Sequence, residues 1–256
     1  MVDGWAKDSY HYYNHFPEVV EGGRAKVALD VGCGVGADLL RFAQEGIEVV
    51  GIDLTETVDV AYRNTSHVPT IHIVQANLHR LPFRPATFQV VYSFGVLHHL
   101  PNPKGGFGCL VEMALPGGWV LIYVYEDFSN RTALEQGLLN TVGAVRRVTR
   151  RLPPQLLHAL CIAGLPLIYL SCSLPYQLLK RIHATRSLAD RIPYRHTANP
   201  ATLVSDLYDR FAAPIEKRYS LGELEGWFRS AGFSGAKNIN YRGWVVWGVK
   251  SQEEVS

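Results

Sequence analysis

Charge of one sign is not in excess in this chain. Its 256 residues carry 25 Lys and Arg against 23 Asp and Glu, a formal +2. A dedicated nucleic-acid binder displays a basic excess or stripe, so the balance argues against a nucleic-acid partner. Cysteine is scarce: Cys33, Cys109, Cys161 and Cys172 form no CxxC pair and no His/Cys cluster at metal spacing. That argues against a disulfide framework and a metal site and for the reduced thiols of a cytoplasmic protein. An apolar leader is also lacking. The opening MVDGWAKDSYHYYNHF is polar and aromatic, which points away from secretion. There is no internal repeat and no low-complexity tract. With 47% hydrophobic and 19% charged residues, the chain has a foldable composition. Its length suits one large domain or one domain with a big insertion, and it can bury a full core.

What is present is an alternation. Apolar, Val- and Ile-rich runs over 26–31, 47–52, 70–74, 88–93 and 119–125 read as strands. Segments 37–45, 55–64 and 104–115 between them read as helices, with Thr55 placed to cap the second. Such alternation implies a parallel sheet covered on both faces. A helix over 221–231 and strands over 236–241 and 244–250, joined at Arg242-Gly243, close the chain. The expected fold is therefore α/β and doubly wound, ending in an antiparallel hairpin.

Residues 126–220 interrupt this pattern, and a connection of that length is usually functional. Its centre, 156–179, contains no Asp, Glu, Lys or Arg. Arg146, Arg147, Arg150 and Arg151 precede it, and Lys180 and Arg181 follow. Length and flanks alone suit a membrane span. Topology opposes a single crossing, because the chain on both sides must join one sheet. Pro166 and Pro175 are also expected to divide the tract into shorter pieces. Three readings stay open: helices capping the core, a lid over a greasy substrate, or a peripheral membrane contact.

The segment LDVGCGVG over 29–36 runs from a strand through glycines into a helix. Glycines permit a tight turn and a close approach of backbone to ligand. The ligand belongs outside the carboxyl ends of the strands, at the switch point of the sheet. Gly32-x-Gly34-x-x-Ala37 with Asp53 also fits a dinucleotide fingerprint. Asp30 opposes that reading, since a carboxylate there repels a pyrophosphate. It suits a cationic ligand without phosphate, such as S-adenosylmethionine with its sulfonium and α-ammonium.

LDVGCGVG resembles the first motif of the class I S-adenosylmethionine-dependent methyltransferases, and four further segments agree in order. They are VGIDL over 50–54, ANLHRLPF over 76–83, SFGVLHHL over 93–100 and LPGG over 115–118. The resemblance covers roughly 25–125 closely and the terminal hairpin loosely. It implies a Rossmann-like seven-stranded sheet with its last strand antiparallel, and a helical insertion between strands five and six. It divides the chain into a cofactor-binding core, 1–125 and 221–256, and an acceptor-side cap, 126–220. Within the core, 1–24 would serve as an N-terminal lid or as a packed helix.

The implied cofactor-binding residues are Asp30, Gly32, Cys33, Gly34, Gly36, Asp53, Leu54, Asn77, Leu78, Ser93 and Phe94. Asp53 would take the ribose hydroxyls or merely cap the next helix. Asn77 replaces the usual acid of the adenine segment, and an amide carbonyl can still accept from the adenine amino group. Gln89 and Leu115 also depart from the family pattern. For chemistry, His98 and His99 are candidate bases or pocket-shaping groups, and Glu126 is a base or a helix cap. The implied reaction is methylation of a small, lipophilic acceptor at oxygen or carbon, with S-adenosylhomocysteine as product. A nicotinamide oxidoreductase and a non-catalytic, membrane-associated scaffold remain as alternatives, and the oligomeric state stays open.

Overall fold

The computed structural model of the chain describes residues 26–129, 131–189, 192, 200–240 and 243–252. The lid expected over 1–24 and part of the hairpin turn, 241–242, lie outside the described residues. Seven strands form one sheet: β1 (Val27–Val31), β2 (Glu48–Asp53), β3 (Ile71–Gln75), β4 (Phe88–Phe94), β5 (Ala114–Val124), β6 (Lys237–Asn240) and β7 (Trp244–Val249). Their order is β3-β2-β1-β4-β5-β7-β6. The first five run parallel, and β7 is antiparallel to both β5 and β6. The strand order reverses between β1 and β4, which puts the switch point beside the glycine segment. The doubly wound sheet with its antiparallel end is the fold expected from the motifs.

The helices, in chain order, are α1 (Ala37–Gln44), α2 (Thr57–Thr65), α3 (Pro103–Met113), α4 (Ala133–Thr149), α5 (Pro154–Ile168), α6 (Leu174–Leu179), α7 (Arg186–Ala189), α8 (Pro200–Ala212) and α9 (Leu221–Ser230). Alternate residues of a strand face opposite sides, and β1 shows the consequence. Ala28 joins Val49, Val90 and Tyr92 under Leu39 and Phe42 of α1 and Ala61 of α2. Leu29 and Val31 join Ile52 and Val91 on the other face, under Phe107 and Leu110 of α3 and Leu224 and Phe228 of α9. Each such side chain removed from water contributes about 1.5–3 kcal/mol.

Local chemistry fixes the ends of these elements. Asn102 starts α3 by accepting from the Gly105 amide at 3.0 Å. Ser220 and Glu223 form a reciprocal capping box on α9, as Thr132 and Glu135 do on α4. Thr55 does not cap α2. That helix begins after Glu56, and Thr55 instead donates to Asp53. The LPGG segment, which in the family pattern reads as the turn before the fifth strand, starts within that strand here. It lies inside β5, where the register with β4 shifts between Phe88 and Val90, and Gly117 at φ 77° makes the bulge.

The chain divides into two compact units. One holds the sheet and its elements, through Ser129 and from Ile215 onward; the other is Asn130–Pro214. The flanks of the expected insertion belong with the sheet, because Glu126 pairs with Tyr219 in a short parallel bridge. Within the second unit, Leu157 and Cys161 of α5 pack on Leu203, Val204 and Leu207 of α8. The prolines do not divide the apolar tract. Helix runs from Pro154 to Leu179, with Pro166 inside α5 and a π-helical turn at Tyr169–Ser173 leading into α6. Pro175 is the second residue of α6, directly after that π-helical turn, where the helical hydrogen-bond ladder is already irregular.

Candidate active site

The turn after β1 is held by backbone bonds. The amides of Gly32 and Cys33 donate to the Ile52 carbonyl at 2.8 and 2.9 Å. Gly32, Gly34 and Gly36 all have positive φ, 87°, 51° and 86°, a region that a residue with Cβ enters at a cost. At Gly32 a Cβ would also lie 2.2 Å from the Val96 methyl, so the segment after β4 closes directly over the turn. At Gly34 it would meet none of the described residues within 4 Å.

Three carboxylates surround this turn. Asp53 is fixed by donors on both oxygens: Oδ2 accepts from the Gly34 amide at 3.1 Å, and Oδ1 from the Thr55 amide at 2.9 Å and hydroxyl at 2.7 Å. Asp30 is 3% exposed, on the sheet face shared with its β4 register partner Tyr92. Burial, then the Asp38 carboxylate, raise its pKa well above the ordinary value. Asp38, in the first turn of α1, is pushed up to about 7 by desolvation. The Cys33 thiol is likewise raised, by burial first and then by Asp30 and Asp53.

Such a cluster repels a pyrophosphate and favours a cation. Leu54, which follows Asp53 in the chain, is 64% exposed, and Leu78 is buried. Cationic, ribose-bearing S-adenosylmethionine fits this donor set and a nicotinamide dinucleotide does not. Asp38 was not among the residues picked from the sequence. An acid two residues beyond the last glycine of the turn, in the first helical turn, was the available signal.

The remaining cofactor candidates are placed less uniformly. Asn77 is exposed, and its carbonyl oxygen already accepts from the His79 amide at 2.9 Å, capping a short 3₁₀ turn at Leu78–Arg80. Ser93 is buried and its hydroxyl donates to the Val31 carbonyl at 2.8 Å. That bond stitches β4 to β1. Phe94 is half-buried, its ring 5.2 Å from that of Tyr92. Gln89, one of the departures from the family pattern, accepts from the Val27 amide at 3.0 Å and pins the start of β1.

At the neighbouring carboxyl ends of β4 and β5 the residues expected to serve the acceptor come together. The His98 ring lies 4.1 Å from His99 and 4.0 Å from Tyr125, and His98 is 0% exposed. His99 is half-buried, with Nδ1 2.7 Å from the Ile215 carbonyl oxygen. A carbonyl only accepts, so Nδ1 carries the proton and Nε2 keeps its lone pair. Glu126 is buried, and its Oε2 accepts from Asn240 Nδ2 at 2.7 Å. It ties the end of β5 to β6. Arg218 donates to the Glu126 carbonyl at 3.2 Å, contacts Glu216 at 2.6 Å and lies 5.1 Å over Tyr125. It orders the rim of this group.

Residues 29–122 match the model of a methyltransferase domain. The ubiquinone biosynthesis O-methyltransferase of Azoarcus sp. is 40% identical over 100 residues, covering 37% of this chain and 42% of that protein. A protein of that name from Burkholderia ambifaria is 34% identical over 131 residues, covering 50% and 54%. A sterol 4-C-methyltransferase of Caenorhabditis elegans is 27% identical, covering 43% and 34%. The chain spans about a third to a half of the length of the curated relatives it matches. In fold it resembles the magnesium protoporphyrin IX methyltransferase of Synechocystis, solved with bound S-adenosylhomocysteine. The TM-score is 0.55 at 14% identity, over 94% of this chain and 82% of that one. In its five motifs, its glycine turn and its strand order, the segment 29–122 is similar to the class I S-adenosylmethionine-dependent methyltransferases.

Proposed function

We propose that the chain methylates a small lipophilic acceptor at oxygen or carbon, using S-adenosylmethionine. The observation that carries this is the placement of two groups on adjoining strand ends. Asp30, Asp38 and Asp53 ring the glycine turn at β1 and β2, and His98, His99 and Tyr125 gather at β4 and β5. Neighbouring strands are about 4.8 Å apart, so β1 and β5 are separated by roughly 10 Å, about the reach of one nucleoside-bearing ligand.

When bound, the cofactor supplies a methyl on an already activated sulfonium. Asp53, held rigid by Gly34 and Thr55, offers its remaining acceptor sites to the two ribose hydroxyls. Asp30 and Asp38 counter the cationic groups. The Leu54 face receives the adenine, and Gly32, Gly34 and Gly36 admit the ligand to the backbone. His99 Nε2 takes the proton of an acidic acceptor hydroxyl or carbon, while alignment supplies most of the acceleration. His98, packed between His99 and Tyr125, positions that ring.

Support for a lipophilic acceptor comes from the uncharged tract 156–179 and from relatives named for ubiquinone and sterol methylation. Residues 126–220 as the acceptor-side part and a cytoplasmic location belong to the same proposal. The test is calorimetric titration with S-adenosylhomocysteine, with NADH and NADPH as controls, followed by turnover against phenolic quinone precursors and sterols. Binding of S-adenosylhomocysteine alone, with turnover lost in His99→Gln, is expected. Binding of a nicotinamide nucleotide would overturn the cofactor assignment. Binding without turnover of any acceptor would favour a scaffold.

A further inference from the structure

The helix from Pro154 to Leu179 presents two apolar faces. One, through Leu157, Cys161 and Leu165, is packed on α8. The other is uncovered. Leu156, Leu160, Leu167, Leu170 and Leu178 are all exposed, Leu167 by 70% and Leu170 by 62%. With Ala163 and Leu174 they recur at steps of three or four, which lines them along one side of a helix. A water-facing helix does not keep such a stripe unless something covers it.

Charge identifies the covering surface. Residues 130–214 carry eleven Lys and Arg against four Asp and Glu, leaving fourteen against nineteen for the rest of the chain. Between Glu135 and Asp190 there is no acidic residue at all, and Arg147, Arg150 and Arg151 before the stripe and Lys180 and Arg181 after it are exposed. A second copy of the chain laid on this face by a two-fold axis would bring one basic rim against another. An anionic surface with an apolar interior matches both features.

We propose that the insertion docks on an anionic phospholipid bilayer, the helix lying in the membrane plane with the leucine stripe at the headgroup–acyl boundary. The arginines and lysines at both ends extend to the lipid phosphates. At a rise of about 1.5 Å per residue the helix is roughly 39 Å long, enough to cross a hydrocarbon core of about 30 Å. It does not cross, because β5 before it and β6 and β7 after it belong to one sheet, and both ends must stay on one side. This inference stands independently of the methyl-transfer reading.

The experiment is co-sedimentation of the full chain with phosphatidylcholine vesicles and with vesicles containing phosphatidylglycerol, at low and high salt. Binding confined to phosphatidylglycerol and released by salt is expected of the unaltered protein, so this arm needs no variant. Leu160→Glu with Leu167→Glu should lower partitioning more than tenfold with thermal unfolding and S-adenosylhomocysteine binding unchanged. Arg147→Glu, Arg151→Glu and Arg181→Glu should each lower it about fivefold or more. Absent binding, or equal binding to both lipids at all salts, would overturn the proposal. So would a dimer in solution that the leucine variants dissociate.

Discussion

In the sheet unit, the apolar residues of β1, β4 and β5 are sealed between two helical layers, and the carboxylates are the groups held under tension. In Asn130–Pro214 a row of leucines, Leu156, Leu160, Leu167, Leu170 and Leu178, faces outward, and the exposed charges at its two ends, Arg147, Arg150, Arg151, Lys180 and Arg181, are basic. Asp30 at 3% exposed and Leu167 at 70% are the extremes of that contrast. Both positions are costly in isolation, a buried carboxylate and a bare leucine. A residue kept at a cost points to the ligand that relieves it: a cation for the first, an apolar surface for the second.

The contrast breaks most sharply at Gly32. Gly32→Val forces a β-branched residue to φ 87° and drives its Cβ into Val96. S-adenosylhomocysteine affinity should fall more than about a hundredfold, beyond the 1–3 kcal/mol of backbone strain alone. Calorimetry reads this directly, and retained affinity would mean that the turn does not form the site. Within the insertion, Leu157→Ala should destabilise by about 2–5 kcal/mol, because the packed face leaves a cavity against α8. Thermal unfolding should show that loss with cofactor affinity unchanged. A drop in affinity as well would show that the units act together.

Much of the first unit was legible because its signals are local. A strand ending in LDVGCGVG and an acid at the end of the next strand specify a turn through φ and hydrogen bonding, and the structure supplies Gly34–Asp53 at 3.1 Å. Residues whose roles depend on distant partners were not legible. Glu126 bonds Asn240, 114 positions away, and no local pattern signals that partner. His99 likewise bonds the Ile215 carbonyl, 116 positions away. Pro166 and Pro175 read as breaks because the π-helical turn that accommodates them has no local sequence signature.

Asp53→Ala comes next in size. Removal of a charge-assisted acceptor for two ribose hydroxyls should weaken cofactor binding by about 1.5–3 kcal/mol. Unchanged affinity on titration would reduce Asp53 to a brace for Gly34 and Thr55.

A smaller effect should appear with pH. Asp38 has its pKa raised to about 7 in the free protein, and a cationic ligand favours the ionised form. Binding must then remove a proton below that pH and none above it. Affinity should rise about tenfold from pH 6 to pH 8 and level off beyond, roughly 1.4 kcal/mol for one proton. The same shift makes the ligand-free protein lose stability as pH rises between about 4 and 7, since the folded state holds the proton more tightly than the unfolded one. Asp38→Asn should flatten both profiles, and calorimetry in buffers of different ionisation enthalpy should count the released proton. A flat affinity profile in the unaltered protein would place Asp38 away from the ligand.

The smallest effect is the most discriminating for the second unit. Leu160 and Leu157 lie three positions apart on one helix, the first exposed and the second buried. Leu160→Glu should shift stability by no more than about 0.5 kcal/mol, the range for surface substitutions away from caps and cores. If Leu160 were sealed against another part of the protein in solution, the glutamate would bury a charge, and the loss would approach that of Leu157→Ala. Measured side by side by thermal unfolding, the two variants therefore separate a face kept bare for a membrane from one already covered within the protein.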